Sequence, residues 1–249
     1  MTRIARFISL AAVVAVAAPV AAQAQAGKPT VAIMAFSNGS FGKDARDYDG
    51  LAKGIPAMLI TDMQANTNIR VIERDQVQAL VDEQKLVTGG QVDQATAVKI
   101  GKLLGVHHMI WGTFMTDPKG NFRVDARAVD VETGQIEHVD RVDDKADNIM
   151  SSIGALASKL NAGLKLPPMP AVRTGSTTPT PGATGAQQAG APAASPKLPM
   201  RVAVMYGKAL DAKDHGEKAK AVEYFNAVLK DFPTYEPAIK ERAGLSKGA

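Results

Sequence analysis

Apolar and polar residues along this chain follow short, changing rhythms, and each rhythm points to an element. Residues 30–36 (TVAIMAF) form a compact apolar run with β-branched members, closed by Pro29 on one side and the 37–42 loop on the other, which predicts a buried strand. Over residues 49–65 the period lengthens. Leu51, Ile55, Met58, Leu59 and Met63 recur at helical spacing, and Pro56 is expected to delay or bend that helix. Residues 69–72 (IRVI) predict a second strand, followed by a helix with Asp75 as its N-cap, Gln78 in capping-box position and Val77, Leu80 and Val81 turned inward. Gly89 and Gly90 break the chain. Asp93 then caps a helix whose Ala97, Ile100, Leu103 and Leu104 face inward, and Gly105 suits its left-handed end. A third strand is predicted over 107–115.

Residues 122–131 and 135–142 alternate polar and apolar around Glu132-Thr133-Gly134, the pattern of a hairpin. A last helix, 148–166, places Ile149, Ile153, Leu156, Leu160 and Leu164 on one stripe before Pro167 and Pro168 end it. The order β-α-β-α-α-β-β-β-α predicts an α/β (α+β) sandwich of mixed sheet and helices around one continuous core. Trp111 and the methionines Met34, Met58, Met63, Met109 and Met115 are read as packing residues of that core.

Both flanks of this domain read differently. Residues 1–26 carry Arg3 and Arg6, an apolar run over 7–18 and a small-residue stretch, the order of a secretory signal peptide with cleavage between Ala26 and Gly27. That apolar run is too short to cross about 30 Å of hydrocarbon. Residues 168–199 are rich in Pro, Ala, Gly and Thr with almost no large apolar side chain, so they predict a disordered linker of long reach. Residues 202–235 fit one helix-turn-helix repeat of tetratricopeptide type, with Ala209, Gly216, Ala221, Phe225 and Pro233 at its small, turn, small, large and breaker positions. One repeat cannot bury its own face, so residues 236–245 are expected to cap it, with self-association or a docked partner as the other cover. The domain plan is therefore a 1–26 signal peptide, a 27–167 α/β domain, a 168–199 linker and a 200–249 helical segment.

Charge narrows the function. Without Arg3 and Arg6, the 29 basic residues become 27 against 25 acidic ones, which is no footprint for nucleic acid. The cysteine count is zero, so the domain is held by its core, and no thiol exists to take a lipid. Enzyme chemistry finds little support. Ser40, in Asn38-Gly39-Ser40-Phe41-Gly42, falls short of the G-x-S-x-G elbow because Asn replaces the leading Gly. The four histidines, His107, His108, His138 and His215, match no metal-binding spacing. No catalytic residue, cofactor or metal is expected.

Five segments carry a resemblance. They are residues 31–36 (VAIMAF); 58–63 (MLITDM); 71–77 (VIERDQV) with Glu83 and Leu86; 100–106 (IGKLLGV) leading to Gly112; and 129–134 (VDVETG). In this order they resemble the CsgG/HfaB family, the periplasmic fold of the curli secretion channel, and are similar to the penicillin-binding-protein activator LpoB, FlgO and the TolB N-terminal domain. The resemblance implies a CsgG/TolB-N-like fold and a role in envelope assembly. Secretion channels of the family carry a lipidated cysteine and long membrane-spanning hairpins. Here the predicted hairpin sets Arg123, Asp125 and Arg127 on one face, and a Lys or Arg facing lipid near the midplane costs roughly 2–4 kcal/mol. The pore is therefore not carried over.

The resulting expectation is a non-enzymatic scaffold or adaptor, periplasmic or peripheral at the outer membrane, whose partners are other envelope proteins or further copies of itself. No nucleic acid and no direct membrane insertion are expected. An LpoB-like activator of a peptidoglycan synthase is the alternative, and a hydrolase a more distant one. If the repeat binds a partner with its concave side, Tyr206, Leu210 and Lys213 are its contact residues, beside Ala203.

Overall fold

The computed structural model describes residues 27–85, 92–117, 119–168 and 198–247. The predicted signal peptide and most of the predicted linker lie outside the described residues, as does Ala26 of the cleavage pair. Strand β1 (Thr30–Asn38) leads through a 3-10 turn into α1 (Leu51–Gln64). The two-residue β2 (Arg70–Val71), α2 (Arg74–Gln84) and α3 (Gln94–Leu104) follow, then β3 (His108–Thr116). The hairpin β4 (Asn121–Asp130) and β5 (Ile136–Lys145) precedes α4 (Ile149–Gly163). A tail of α5 (Met200–Asp214), α6 (Lys218–Asp231) and α7 (Glu236–Lys247) completes the order.

The five strands form one sheet in the order β2-β1-β3-β4-β5, parallel across β2, β1 and β3 and antiparallel from β3 to β5. Helices cover both faces, so the expected single core is in fact two. Alternation along β1 divides them: Val31 and Ile33 face α1 and α4, whereas Ala32 and Met34 face α2 and α3. A bulge in β1 between Ile33 and Phe36 resets this alternation and returns Phe36 to the α1 side. There its ring lies across Gly112 of β3, where an added Cβ would sit 2.4 Å from Phe36 Cε1. Trp111 is buried on the α2 and α3 side. Met34, Met58, Met63 and Met109 are buried as read, and Met115 is half-buried.

Local signals translate unevenly. Asp93 accepts the Thr96 N–H at 2.8 Å as the N-cap of α3, and Gly105 ends that helix at φ 65°. Gly101 lets α3 lie against β4's end, where a Cβ would meet Val131 at 2.5 Å. Pro56 stays inside α1 and neither delays nor ends it, because Leu51, Ile55, Met58 and Leu59 bury the helix on both sides of the missing N–H. Asp75 is not the N-cap of α2. The cap position falls two residues earlier, on Glu73, which makes no side-chain cap, and the helix starts at Arg74. The Asp75 carboxylate is drawn instead to two cations, Arg74 and Lys213.

The hairpin presents two unlike faces. Phe122, Val124, Ala126 and Ala128 are buried against the α1 and α4 side. The opposite face carries Arg123, which grips Asp125 through two hydrogen bonds of 2.7 Å, and the exposed Arg127. At the free edge of β5, Asp140 accepts the Arg141 N–H at 2.9 Å and Lys159 of α4 donates to the Arg141 carbonyl at 2.9 Å. A row of open main-chain groups is thereby blocked at its middle.

Candidate functional site

The tail packs on the domain. Helix α5 packs on α1, and where they meet the two main chains touch: a Cβ on Gly207 would lie 1.7 Å from the Gly50 carbonyl oxygen, and one on Gly50 would lie 2.3 Å from the Val204 carbonyl oxygen. Gly54 faces Ala203 in the same seam. Small residues four apart on each helix, Gly50 with Gly54 and Ala203 with Gly207, make this approach possible. The tail's apolar residues join the core of the α1 and α4 side, from Leu198 and Met200 through Leu210, Phe225 and Ala238. Gly216 (φ 74°) makes the turn between α5 and α6, α6 ends ahead of Pro233, and α7 covers the outer side.

A group of charged side chains lies beside this seam. Arg74, at the first turn of α2, donates through Nη1 and Nη2 to both carboxylate oxygens of Asp214 at the end of α5, at 2.7 and 2.8 Å. Only 9% of the Arg74 side chain and 8% of the Asp214 side chain are exposed. Lys53 of α1 stands 3.2 Å from the same carboxylate and also donates to Gln78. Arg74 meets Asp75 at 2.7 Å, and Lys213 bridges Asp75 at 2.5 Å and Glu241 of α7 at 2.6 Å. Four helices are thus joined by three cations and three carboxylates. Burial works against the Arg74 charge, but the hydrogen bond and charge of Asp214 more than offset it and hold the guanidinium above its ordinary value. For Lys213 burial is likewise outweighed by Asp75 and Glu241, and its pKa rises. Asp75 is pushed up by burial and further down by Lys213 and Arg74, for a net depression.

Two hollows flank the group. One, of about 470 Å³, lies between β1, α1 and α2, with Ile33, Phe36 and Val77 in its wall and Lys53, Arg74 and Asp214 at its polar end. The other is a groove of about 230 Å³ between α1, the start of α2 and α7.

The residues read from sequence as partner contacts converge on this junction but face inward. Tyr206 is 3% exposed and stacks its ring at 6.0 Å from Phe225 and edge-on at 5.3 Å from Tyr235. Leu210 and Ala203 are fully buried, and Lys213 is held in its two ion pairs. The chain's own α1, α2 and α7 cover them. Arg74, Asp214 and the three glycines were not singled out as an interface by sequence. The one signal for the glycines was the repeated small-x-x-x-small spacing at 50–54 and 203–207.

Other residues weighed for chemistry serve as ties. The Ser40 hydroxyl accepts the Thr116 N–H at 3.0 Å and pairs with the Thr116 hydroxyl at 3.1 Å, linking the 39–42 loop to the end of β3. His107 contacts Thr30, His108 contacts Glu137, His138 contacts Asp140 and His215 contacts the Asp211 carbonyl. Among the described residues no group of three His, Cys, Asp or Glu is placed to hold a metal ion. Nor is any described helix long and apolar enough to cross a membrane.

Comparison with known proteins follows this geometry. Residues 14–117 match the family model described as curli production assembly/transport component CsgG. No curated protein sequence matches the chain. Among solved structures, the chain is similar to the LpoB C-terminal domain from Salmonella enterica, at 11% identity over 48% of this chain and 84% of that one, with a TM-score of 0.34. It is similar to TolB from Acinetobacter baumannii at 14% identity over 55% of this chain, with a TM-score of 0.38, and there it spans only 28% of the TolB chain. PelC from Paraburkholderia phytofirmans, a dodecamer in its L103M form, gives 13% identity over 56% of this chain and 89% of that one, with a TM-score of 0.36. The sequence match runs through β1, α1, β2, α2, α3 and β3 and stops before the hairpin. The similarity to the CsgG family is therefore confined to residues 14–117, less than half of the chain, and leaves out the hairpin, α4 and the helical tail.

Proposed function

We propose that this protein is a non-enzymatic adaptor of a cell-envelope assembly, working in the periplasm or at the inner side of the outer membrane by contact with other proteins. The observation that carries this reading is the CsgG-family match itself. The disposition of the chemistry agrees with it. The buried charged groups, Arg74 and Asp214 above all, are committed to one another across helices. Ser40 is tied to Thr116. The charged side of the β4–β5 hairpin, with Arg123 paired to Asp125, suits water or a polar partner and not lipid. The helical tail, seated on α1, supplies added surface on the same body.

Cross-linking in intact cells followed by mass spectrometry tests the reading. Envelope proteins joined to surface residues of the tail or hairpin are the expected result. Recovery of the chain alone, under conditions that trap an established envelope complex, removes it. Faster glycan polymerisation by a purified peptidoglycan synthase on addition of the protein would replace it with a wall-synthase activator.

A further inference from the structure

We propose that the groove between α1, the start of α2 and α7 is a receptor for an arginine side chain presented by a partner protein. Its volume, about 230 Å³, is below the roughly 300–1,000 Å³ of pockets that take drug-sized molecules, so it suits one side chain and not a cofactor. Its floor is Tyr206, 3% exposed. The Tyr206 hydroxyl has no hydrogen-bond partner among the described residues, yet no buried side-chain polar atom there is left without one. The hydroxyl is therefore the part of this buried residue that reaches the open groove.

Around that hydroxyl the groove supplies the rest of a guanidinium site. Ile60, Ala57 and Pro237 offer an apolar channel for a methylene stem. Glu73, Glu236 and Glu241 stand at its walls, against Arg74 and Lys240. Arg74 is committed through three hydrogen bonds to Asp214 and Asp75, and Lys240 is 78% exposed and no closer than 3.9 Å to Glu73. Glu241 is held by Lys213 at 2.6 Å and Glu73 accepts from Gln64, so the carboxylate of the groove left without an ion pair among the described residues is the exposed Glu236. A guanidinium, with five donors in a fixed fork, can pair with the Glu236 carboxylate and still donate to the tyrosine oxygen, which an ammonium does less well.

The inference leans on the adaptor reading only in taking the ligand from a protein, and its test does not depend on any cross-link being found. The full chain is titrated with the peptide acetyl-Gly-Arg-Gly-amide, followed by NMR of the Tyr206 ring and the Glu236 amide. Peptides with lysine, norleucine or glutamate in place of arginine are run beside it. Saturable shifts with arginine, weaker ones with lysine and none with norleucine are expected. Tyr206→Phe and Glu236→Gln should each weaken arginine binding roughly 3- to 10-fold. Should Tyr206→Phe alter the fold, Glu236→Gln at the exposed first turn of α7 still decides. Absence of binding, norleucine equal to arginine, a preference for glutamate, or unchanged affinity in Glu236→Gln each overturns the proposal.

Discussion

At the scale of single residues, a missing methyl group governs the seam between α1 and α5. An alanine at 207 would drive its Cβ into the Gly50 carbonyl, a main-chain atom that cannot swing aside. Gly207→Ala is expected to lower stability by about 1–3 kcal/mol or more, read as the urea midpoint. Gly244→Ala is the control. That residue lies in α7 with nothing near its would-be Cβ, and the change should raise stability by about 0.5–1 kcal/mol. Asp62 makes a separate point. Burial lifts its carboxyl from 3.8 to about 6. A carboxyl raised in the folded state leaves stability intact below pH 3.8 and removes it as the pH climbs through 6. Asp62→Asn should therefore melt near wild type at pH 3.5 and higher than wild type at pH 7.5, by roughly 1–3 kcal/mol in stability, measured by thermal melts at both pH values. The roles of Gly101, Gly105 and Asp93 were legible because their partners are near in sequence or their backbone need is local. Gly50 and Gly207 were not, since each is explained only by the other.

Elements show the same division. Helical and strand periods gave the element order correctly, down to the hairpin turn. Two features escaped that reading for lack of a local cause. One is the bulge that returns Phe36 to the face of Ile33, visible only in register with β3. The other is the displaced start of α2, where a carboxylate that suits a cap is claimed by cations from α2 and α5. The Arg74–Asp214 pair, separated by 140 positions, has no sequence signal. Asp214→Ala leaves a guanidinium buried without its main partner and should cost about 3–5 kcal/mol, whereas Arg74→Met with Asp214→Leu should recover most of that loss. A double-mutant cycle in urea measures both. At β5, removal of the blocking side chains in Asp140→Ala with Lys159→Ala should expose the strand edge and yield concentration-dependent association in sedimentation.

For the whole molecule, the sequence reading separated a domain from a helical segment on a long-reaching tether, and the structure seats the two on each other. The difference follows from cover. The helical tail's inner face needed an apolar neighbour, and α1, with Gly50 and Gly54 turned to α5, is that neighbour. If so, covalent continuity is dispensable: residues 27–168 and 198–249 produced as two chains should co-purify as a one-to-one complex, and independent elution would refute the seated tail. The ends of the connection bear on this too. The Asn66 and Asn68 side chains donate to the carbonyls of Pro167 and Pro168, and Leu198 is 1% exposed where the chain re-enters. The chain thus leaves one body at Pro168 and rejoins the same body at Leu198. Doubling the number of residues between these two points would cost only about 0.6 kcal/mol, with no gain in the span between the parts they join.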